Sequence, residues 1–204
     1  MSLYSVGKPI MKVVFKLFFG FKTISAENFP TDKQVIVVSN HTAMCDPILL
    51  GLACKKQLCF MAKAELFKHK LLAKLFGALG AFPVKRGHSD KMGMSSALKV
   101  ITDGKTLALF PQGTRSKTQD PNSAKPGVAL LAAQTGAYVL PCYIYNKSGK
   151  VHSFSRNAVI IGEPIPGEFF RSDTVLGYHE KAHELMKIIF ELRPKAAAAL
   201  ERKI

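Results

Sequence analysis

QVIVVSNHTAMCDP, residues 34–47, carries an apolar, β-branched run straight into a polar turn holding a histidine and an aspartate five positions apart, with a proline behind them. VIVVS reads as a strand. On one continuous helix a five-residue step would leave the side chains of His41 and Asp46 about 140° apart, unable to cooperate. The pair meets only if the segment is strand, then turn, then helix. With Asp46 as the N-cap of that helix and Pro47 as its first residue, a favoured arrangement, His41 falls on the turn and folds back toward the carboxylate. Capping by itself would also account for Asp46.

Working outward, short β-rich runs alternate with helical ones. QLCFMA (57–62), TLALF (106–110), YVLPCYIY (138–145) and AVIIG (158–162) read as strands. Helices are expected near 90–102, 126–134 and 174–192. The last presents Val175, Tyr178, Ala182, Leu185, Ile189 and Leu192 at alternating three- and four-residue steps, a packed face. Pro194 ends it, and the Ala-rich tail is a further short helix. The alternation predicts an α/β fold with helices on the faces of a sheet. No linker, repeat or low-complexity tract divides residues 23–204, which read as one domain.

The first 22 residues differ. In PIMKVVFKLFFGFK, Lys8, Lys12 and Lys16 recur at every fourth position, one stripe of a helix, amid Val, Ile, Leu and Phe. The apolar runs are far shorter than the ~20 residues that a spanning helix requires. An amphipathic helix lying in a membrane interface fits better, with lysines toward anionic headgroups; a helix docked on the domain's own core is the competing reading. ELFKHKLLAKLFGALG (65–80) repeats the recipe. The 29 Lys and Arg against 14 Asp and Glu give a net charge of +15, which favours anionic partners. With 48 % hydrophobic residues and 14 Phe, the balance points to a lipid surface. Nucleic-acid binding would rest on charge alone, since no recognition motif accompanies it. The four cysteines show neither a C-x-x-C pair nor metal-finger spacing, and nothing resembling a cleavable signal precedes them, so a reducing cytosolic compartment is expected.

HEKAH (179–183) matches the H-E-x-x-H zinc pattern. A zinc site also needs a third ligand and an open coordination position; beyond the adjacent Glu184 only Glu191 and Glu201 follow, so a solvated helix face is expected and no metal. Two other segments sit where ligands collect in α/β sheets, beyond strand ends. FPQGTRS (110–116) follows TLALF, with Gly113 allowing close backbone approach and Arg115 offering a bidentate fork for phosphate. GAFPVKRG (80–87) places Lys85 and Arg86 at another strand-to-loop junction.

Taken together, HTAMCD as an H-x4-D block, GAFPVKRG, FPQGTRS and VLPCYI (139–144) resemble, in order and approximate spacing, the four blocks of the glycerolipid acyltransferase family typified by 1-acyl-sn-glycerol-3-phosphate acyltransferases. The resemblance spans roughly Ile10 to Glu163. It implies a mixed central sheet and transfer of a fatty acyl group from acyl-coenzyme A or acyl-carrier protein to the sn-2 hydroxyl of lysophosphatidic acid, giving phosphatidic acid. It implies no cofactor beyond that acyl-thioester co-substrate, and an enzyme held peripherally at the cytoplasmic face of a membrane. His41 is then the general base and Asp46 its orienting carboxylate, while Lys85, Arg86, Gln112, Gly113, Thr114 and Arg115 are candidates for the acceptor and its phosphate. Position 112 is Gln where the family usually has Glu, which keeps an acceptor, adds donors and removes a charge. That departure leaves the acceptor open, glycerol-3-phosphate or another lysolipid included, as well as a non-catalytic membrane protein retaining the fold. Cys45 admits a rival chemistry through an acyl-Cys intermediate, which the family pattern does not require.

Overall fold

The computed structural model describes residues 3–84, 90–116, 118–147 and 155–201. In chain order its elements are α1 (Leu3–Phe19), β1 (Phe21–Ile24), β2 (Val35–Ser39), α2 (Asp46–Ala53), β3 (Leu58–Lys63), α3 (Lys70–Ala78), β4 (Ala81–Val84), α4 (Asp90–Thr102), β5 (Thr106–Leu109), α5 (Gly127–Thr135), β6 (Tyr138–Asn146), β7 (Asn157–Ile161), α6 (Val175–Glu191) and α7 (Arg193–Glu201). Among the described residues the strands form one seven-stranded sheet of order β1-β7-β6-β2-β5-β3-β4. Every neighbouring pair is parallel except β6 with β7. The sheet is therefore mixed, with β1 and β7 running against the rest.

The apolar run that opened the sequence reading is central, flanked by β5 and β6, and all five of its residues are buried. Its pleat divides the core. Ile36 and Val38 pack on one side with Ala97 of α4, Val128 and Leu131 of α5, and Leu185 and Ile189 of α6. Val35 and Val37 pack on the other with Leu49 and Leu50 of α2 and Phe15 of α1. A strand with helices on both faces has no solvent side, which is why it shows a continuous apolar run without polar alternation. The parallel strands β2, β5, β3 and β4 all release the chain at one sheet edge. There lie the turn 40–45, the loop 110–116 and Val84, the last described residue before Lys85 and Arg86, which fall outside the described residues.

The N-terminal helix stops short of the expected residue 22. Gly20, at φ +51, takes a left-handed conformation that a side chain resists, and Asn157 Nδ2 donates to the carbonyl of Phe19 (2.6 Å). Phe21 and Lys22 then start an edge strand that the sequence did not suggest, paired in parallel with β7. The helix packs through Phe15, Tyr4 and Lys8. Tyr4 Oη donates to the Gly51 carbonyl (3.4 Å), Lys8 Nζ donates to the Cys54 carbonyl, and the Lys8 ammonium lies 5.3 Å from the centre of the Tyr4 ring. Burial pulls the Lys8 pKa down. The three-lysine stripe is thus divided: Lys8 is docked on α2, and only Lys12 and Lys16 are exposed. Val6, Ile10, Val13 and Leu17, spaced along one side of the helix, are also exposed.

In the segment 65–80, a short 3-10 turn (Ala64–Phe67) precedes α3. None of the described α3 side chains belongs to either core cluster, and Leu71 is exposed. At the other end of the chain, Thr174 caps α6 by accepting from the Gly177 N–H (3.0 Å). Pro194 falls in the first turn of α7, where its missing N–H costs no bond.

Candidate active site

The strand β2 is left by a residue that imitates backbone. Asn40 is buried, and its side-chain amide accepts from the Ile144 N–H (2.7 Å) and donates to the Ile144 carbonyl (3.1 Å) on β6. This continues the ladder by one rung while freeing the main chain to turn. The turn is closed by Asp46, fully buried, whose Oδ2 accepts three hydrogen bonds: from the backbone of Thr42 (2.6 Å), from the backbone of Ala43 (2.7 Å) and from the imidazole Nδ1 of His41 (2.9 Å).

Asp46 is thus not the N-cap that the sequence suggested. Cys45 occupies that position, in a helical conformation and without a side-chain cap, while Asp46 is the first helical residue and Pro47 the second. A carboxylate turned back onto its own loop has no geometry left for the helix N–H groups ahead of it. Its charge still sits favourably at the positive end of α2.

An ionised carboxylate only accepts hydrogen bonds, so the proton on the His41 ring resides on Nδ1 and the lone pair on Nε2. The imidazole lies flat against Phe110, with ring centroids 4.1 Å apart and planes 18° from parallel; Phe60 lies beyond, 6.3 Å from Phe110. The contact removes the ring's freedom to swing away from Asp46. A face-on aromatic also favours a developing positive charge.

The loop 110–116 grips the same residue from the backbone. The His41 N–H donates to Gln112 Oε1 (3.3 Å), and the Ser116 N–H donates to the His41 carbonyl (2.8 Å). This pairing places Arg115, one residue before Ser116, on the loop that clasps His41. Gly113 accommodates the sharp turn at φ +71. A Cβ there would lie 3.2 Å from Lys125 Cε, because the Lys125 side chain runs across it, its backbone N–H donating to the Pro111 carbonyl (2.9 Å). Gly113, Thr114, Arg115 and Lys125 are all exposed, and neither cation forms an ion pair among the described residues.

Of the residues singled out from sequence, the structure brings His41, Asp46, Gln112, Gly113, Thr114 and Arg115 to one strand edge; Lys85 and Arg86 are outside the described residues. Three neighbours escaped the sequence reading. Phe110 was treated only as the end of a strand. Ser123, an acceptor for the Gln112 amide (3.2 Å), and Lys125 belong to the following segment. Their signal was the short span between FPQGTRS and the next helix, which obliges the chain to fold back over its own loop.

Burial raises the pKa of the Cys45 thiol, and the adjacent Asp46 carboxylate raises it further. That environment disfavours the thiolate a covalent route would need. On α6, the His179 and His183 rings stand 6.4 Å apart. Among the described residues no group of three His, Cys, Asp or Glu side chains could hold a metal.

Residues 21–145 match the family model described as Acyltransferase. The chain is 29 % identical over 166 residues to a 1-acyl-sn-glycerol-3-phosphate acyltransferase of Bacillus subtilis, covering 80 % of this chain and 82 % of that protein. It is 30 % identical over 131 residues to a protein of the same name from Borreliella burgdorferi, covering 62 % of this chain and 52 % of that one. Among solved structures, the 1-acyl-sn-glycerophosphate acyltransferase of Thermotoga maritima shares the fold with a TM-score of 0.64 at 21 % identity, over 94 % of this chain and 83 % of that chain.

Proposed function

The chain belongs to the Acyltransferase family, and on that footing we propose that it transfers a fatty acyl group from acyl-coenzyme A or acyl-carrier protein to the sn-2 hydroxyl of 1-acyl-glycerol-3-phosphate, forming phosphatidic acid. The observation that carries the reading is the His41 Nδ1 to Asp46 Oδ2 bond of 2.9 Å at the strand edge, which leaves Nε2 as a free base beside an exposed arginine loop.

A thioester is already activated, so the protein has to deprotonate an alcohol and hold it in line. Nε2 of His41 takes the hydroxyl proton as the oxygen attacks the thioester carbonyl. The tetrahedral intermediate collapses, the C–S bond breaks, and the imidazolium returns its proton to the leaving thiolate. Asp46 stabilises the imidazolium in between. Base catalysis of this kind contributes about 10²- to 10⁴-fold. Arg115, with the backbone of Gly113 and Thr114, takes the acceptor phosphate, together with Lys85 and Arg86. Lys125, lying across Gly113, adds a further cation.

Both substrate and product are amphiphiles, and the apolar row Val6, Ile10, Val13 and Leu17 beside Lys12 and Lys16 supplies a means of resting on a leaflet. Met44 in the catalytic turn and Ile48 in the first turn of α2 are exposed as well. Among the described residues no helix is long and apolar enough to cross a membrane.

The test is to incubate purified protein with labelled lysophosphatidate, and in parallel with glycerol-3-phosphate, offering each donor in turn. Phosphatidic acid formed by the parent and lost in His41→Ala supports the reading; equal yields from the two proteins reject it. Arg115→Ala should raise the acceptor KM while leaving the donor KM near its parent value.

A further inference from the structure

Gln112 is where the chain departs from the pattern of the family it resembles, and its surroundings constrain what its side chain does. It is 5 % exposed, and both ends of its amide are used inside the protein. Oε1 accepts from the His41 backbone N–H (3.3 Å) and Nε2 donates to Ser123 Oγ (3.2 Å). The Ser123 hydroxyl gives its one proton to the Asp120 carbonyl (2.6 Å), so it turns a lone pair toward position 112. One end of the side chain must therefore accept and the other must donate, and an amide does both without charge. The opposite amide orientation would set N–H against N–H at His41 and oxygen against oxygen at Ser123.

We propose that Gln112, oriented by Ser123, is a positioning residue that holds the His41 backbone and makes no contact with the acceptor; this rests on the base role given to His41 above. The two peptide groups of His41 are then fixed by one loop, the N–H by Gln112 and the carbonyl by the Ser116 N–H (2.8 Å), while Asp46 and Phe110 fix the ring. Placing a base within hydrogen-bond reach of a lipid hydroxyl depends on where its Cα sits as much as on its rotamer. A carboxylate at 112 would accept at both ends, so it would keep the His41 bond only by turning the Ser123 hydroxyl away from Asp120. Gln112 and Ser123 thus form a matched pair, and acceptor choice is left to the exposed residues 113–115.

The experiment compares Ser123→Ala, Ser123→Thr, Gln112→Met and the double variant Gln112→Met/Ser123→Ala. Steady-state kinetics in lysophosphatidate are measured alongside amide hydrogen exchange of the segment containing His41. Ser123→Ala is expected to lower kcat by about five- to tenfold, the scale of one hydrogen bond, with the acceptor KM within about twofold. Ser123→Thr, which keeps the hydroxyl, restores kcat. The double variant is no worse than Gln112→Met alone, since both cut one chain of bonds, and the His41 amide exchanges faster in Ser123→Ala. An acceptor KM that rises more than kcat falls would show that Gln112 touches substrate and overturn the proposal. So would losses that multiply in the double variant, or kcat and exchange unchanged in Ser123→Ala. Should Gln112→Met not fold, the alanine and threonine variants at the partly exposed Ser123 decide. Should the parent transfer no acyl group, the base role of His41 fails separately, and exchange alone decides: faster at His41 in Ser123→Ala supports the bond chain, unchanged refutes it.

Discussion

Replacing Asp46 by asparagine and by alanine separates the two tasks that its buried carboxylate performs. Oδ2 holds the backbone N–H groups of Thr42 and Ala43 at 2.6 and 2.7 Å and His41 Nδ1 at 2.9 Å. Asparagine keeps an oxygen for these donors but loses the charge, which weakens each bond by about 1 kcal/mol. For the two backbone bonds that is about 2 kcal/mol of stability, or a fall in Tm of about 4–8 °C at this chain length. In the proposed mechanism the third bond is the catalytic one, because it would strengthen as the imidazole becomes an imidazolium. An amide oxygen still accepts from Nδ1–H but does not stabilise that cation, so kcat should fall by about 10²- to 10⁴-fold. Alanine leaves two buried N–H groups without an acceptor, at about 1–3 kcal/mol each, so Asp46→Ala should match the rate loss and unfold at a lower temperature than Asp46→Asn. The assay is acyl transfer to lysophosphatidate alongside thermal unfolding of the same preparations. An Asp46→Asn protein within tenfold of parental kcat, folded and binding acceptor normally, would refute the assignment of His41 and Asp46 as the working pair.

Removing the aromatic floor by Phe110→Leu should lower kcat by about tenfold, the scale of a ring contact to a charged imidazole, with donor and acceptor KM nearly unchanged; steady-state kinetics read both. Burial and the neighbouring carboxylate raise the Cys45 pKa, so its alkylation by iodoacetamide should accelerate only above the usual thiol range of about 8.5, followed by peptide mass spectrometry from pH 7 to 10. Because the proposed mechanism does not use the thiol, Cys45→Ala should retain most of the activity, and a hydroxylamine-sensitive acyl-enzyme formed with donor alone would contradict this. On α1, Val13→Asp with Leu17→Asp should cut binding to anionic vesicles at least about tenfold, since each side chain forgoes roughly 1 kcal/mol of apolar transfer. Lys12→Glu with Lys16→Glu should instead weaken binding mainly at low salt, measured by vesicle sedimentation.

The layered α/β architecture was legible because its signals are local and repeated. An apolar run such as VIVVS has few alternatives to a buried strand, and the spacing along 174–192 matches the buried Ala182, Leu185 and Ile189 of α6, although Val175, read onto the same face, is exposed in the first turn. The edge strand Phe21–Ile24 was not, because four residues carry little periodic signal and this pairing comes from Asn157–Ile161, more than a hundred residues away. The amphipathic N-terminus was readable as a helix, but which lysine faces water was not. Lys8 is claimed by the Cys54 carbonyl just beyond α2, a contact that no spacing rule contains.

The candidate site divides in the same way. Sequence by itself determined the chemistry available: a histidine, a carboxylate five residues on, and an arginine behind a glycine, each at the end of a strand. Only the tertiary structure decided that Asp46 closes its own loop instead of capping the helix behind it, that Phe110 supplies a floor for the imidazole, and that Gln112 faces Ser123 and the His41 backbone. The reason is physical. Residue type and short-range spacing fix what a side chain is able to do, whereas the partner it does it with is chosen by strand order, which sets β2 beside β5 and so joins two loops seventy residues apart.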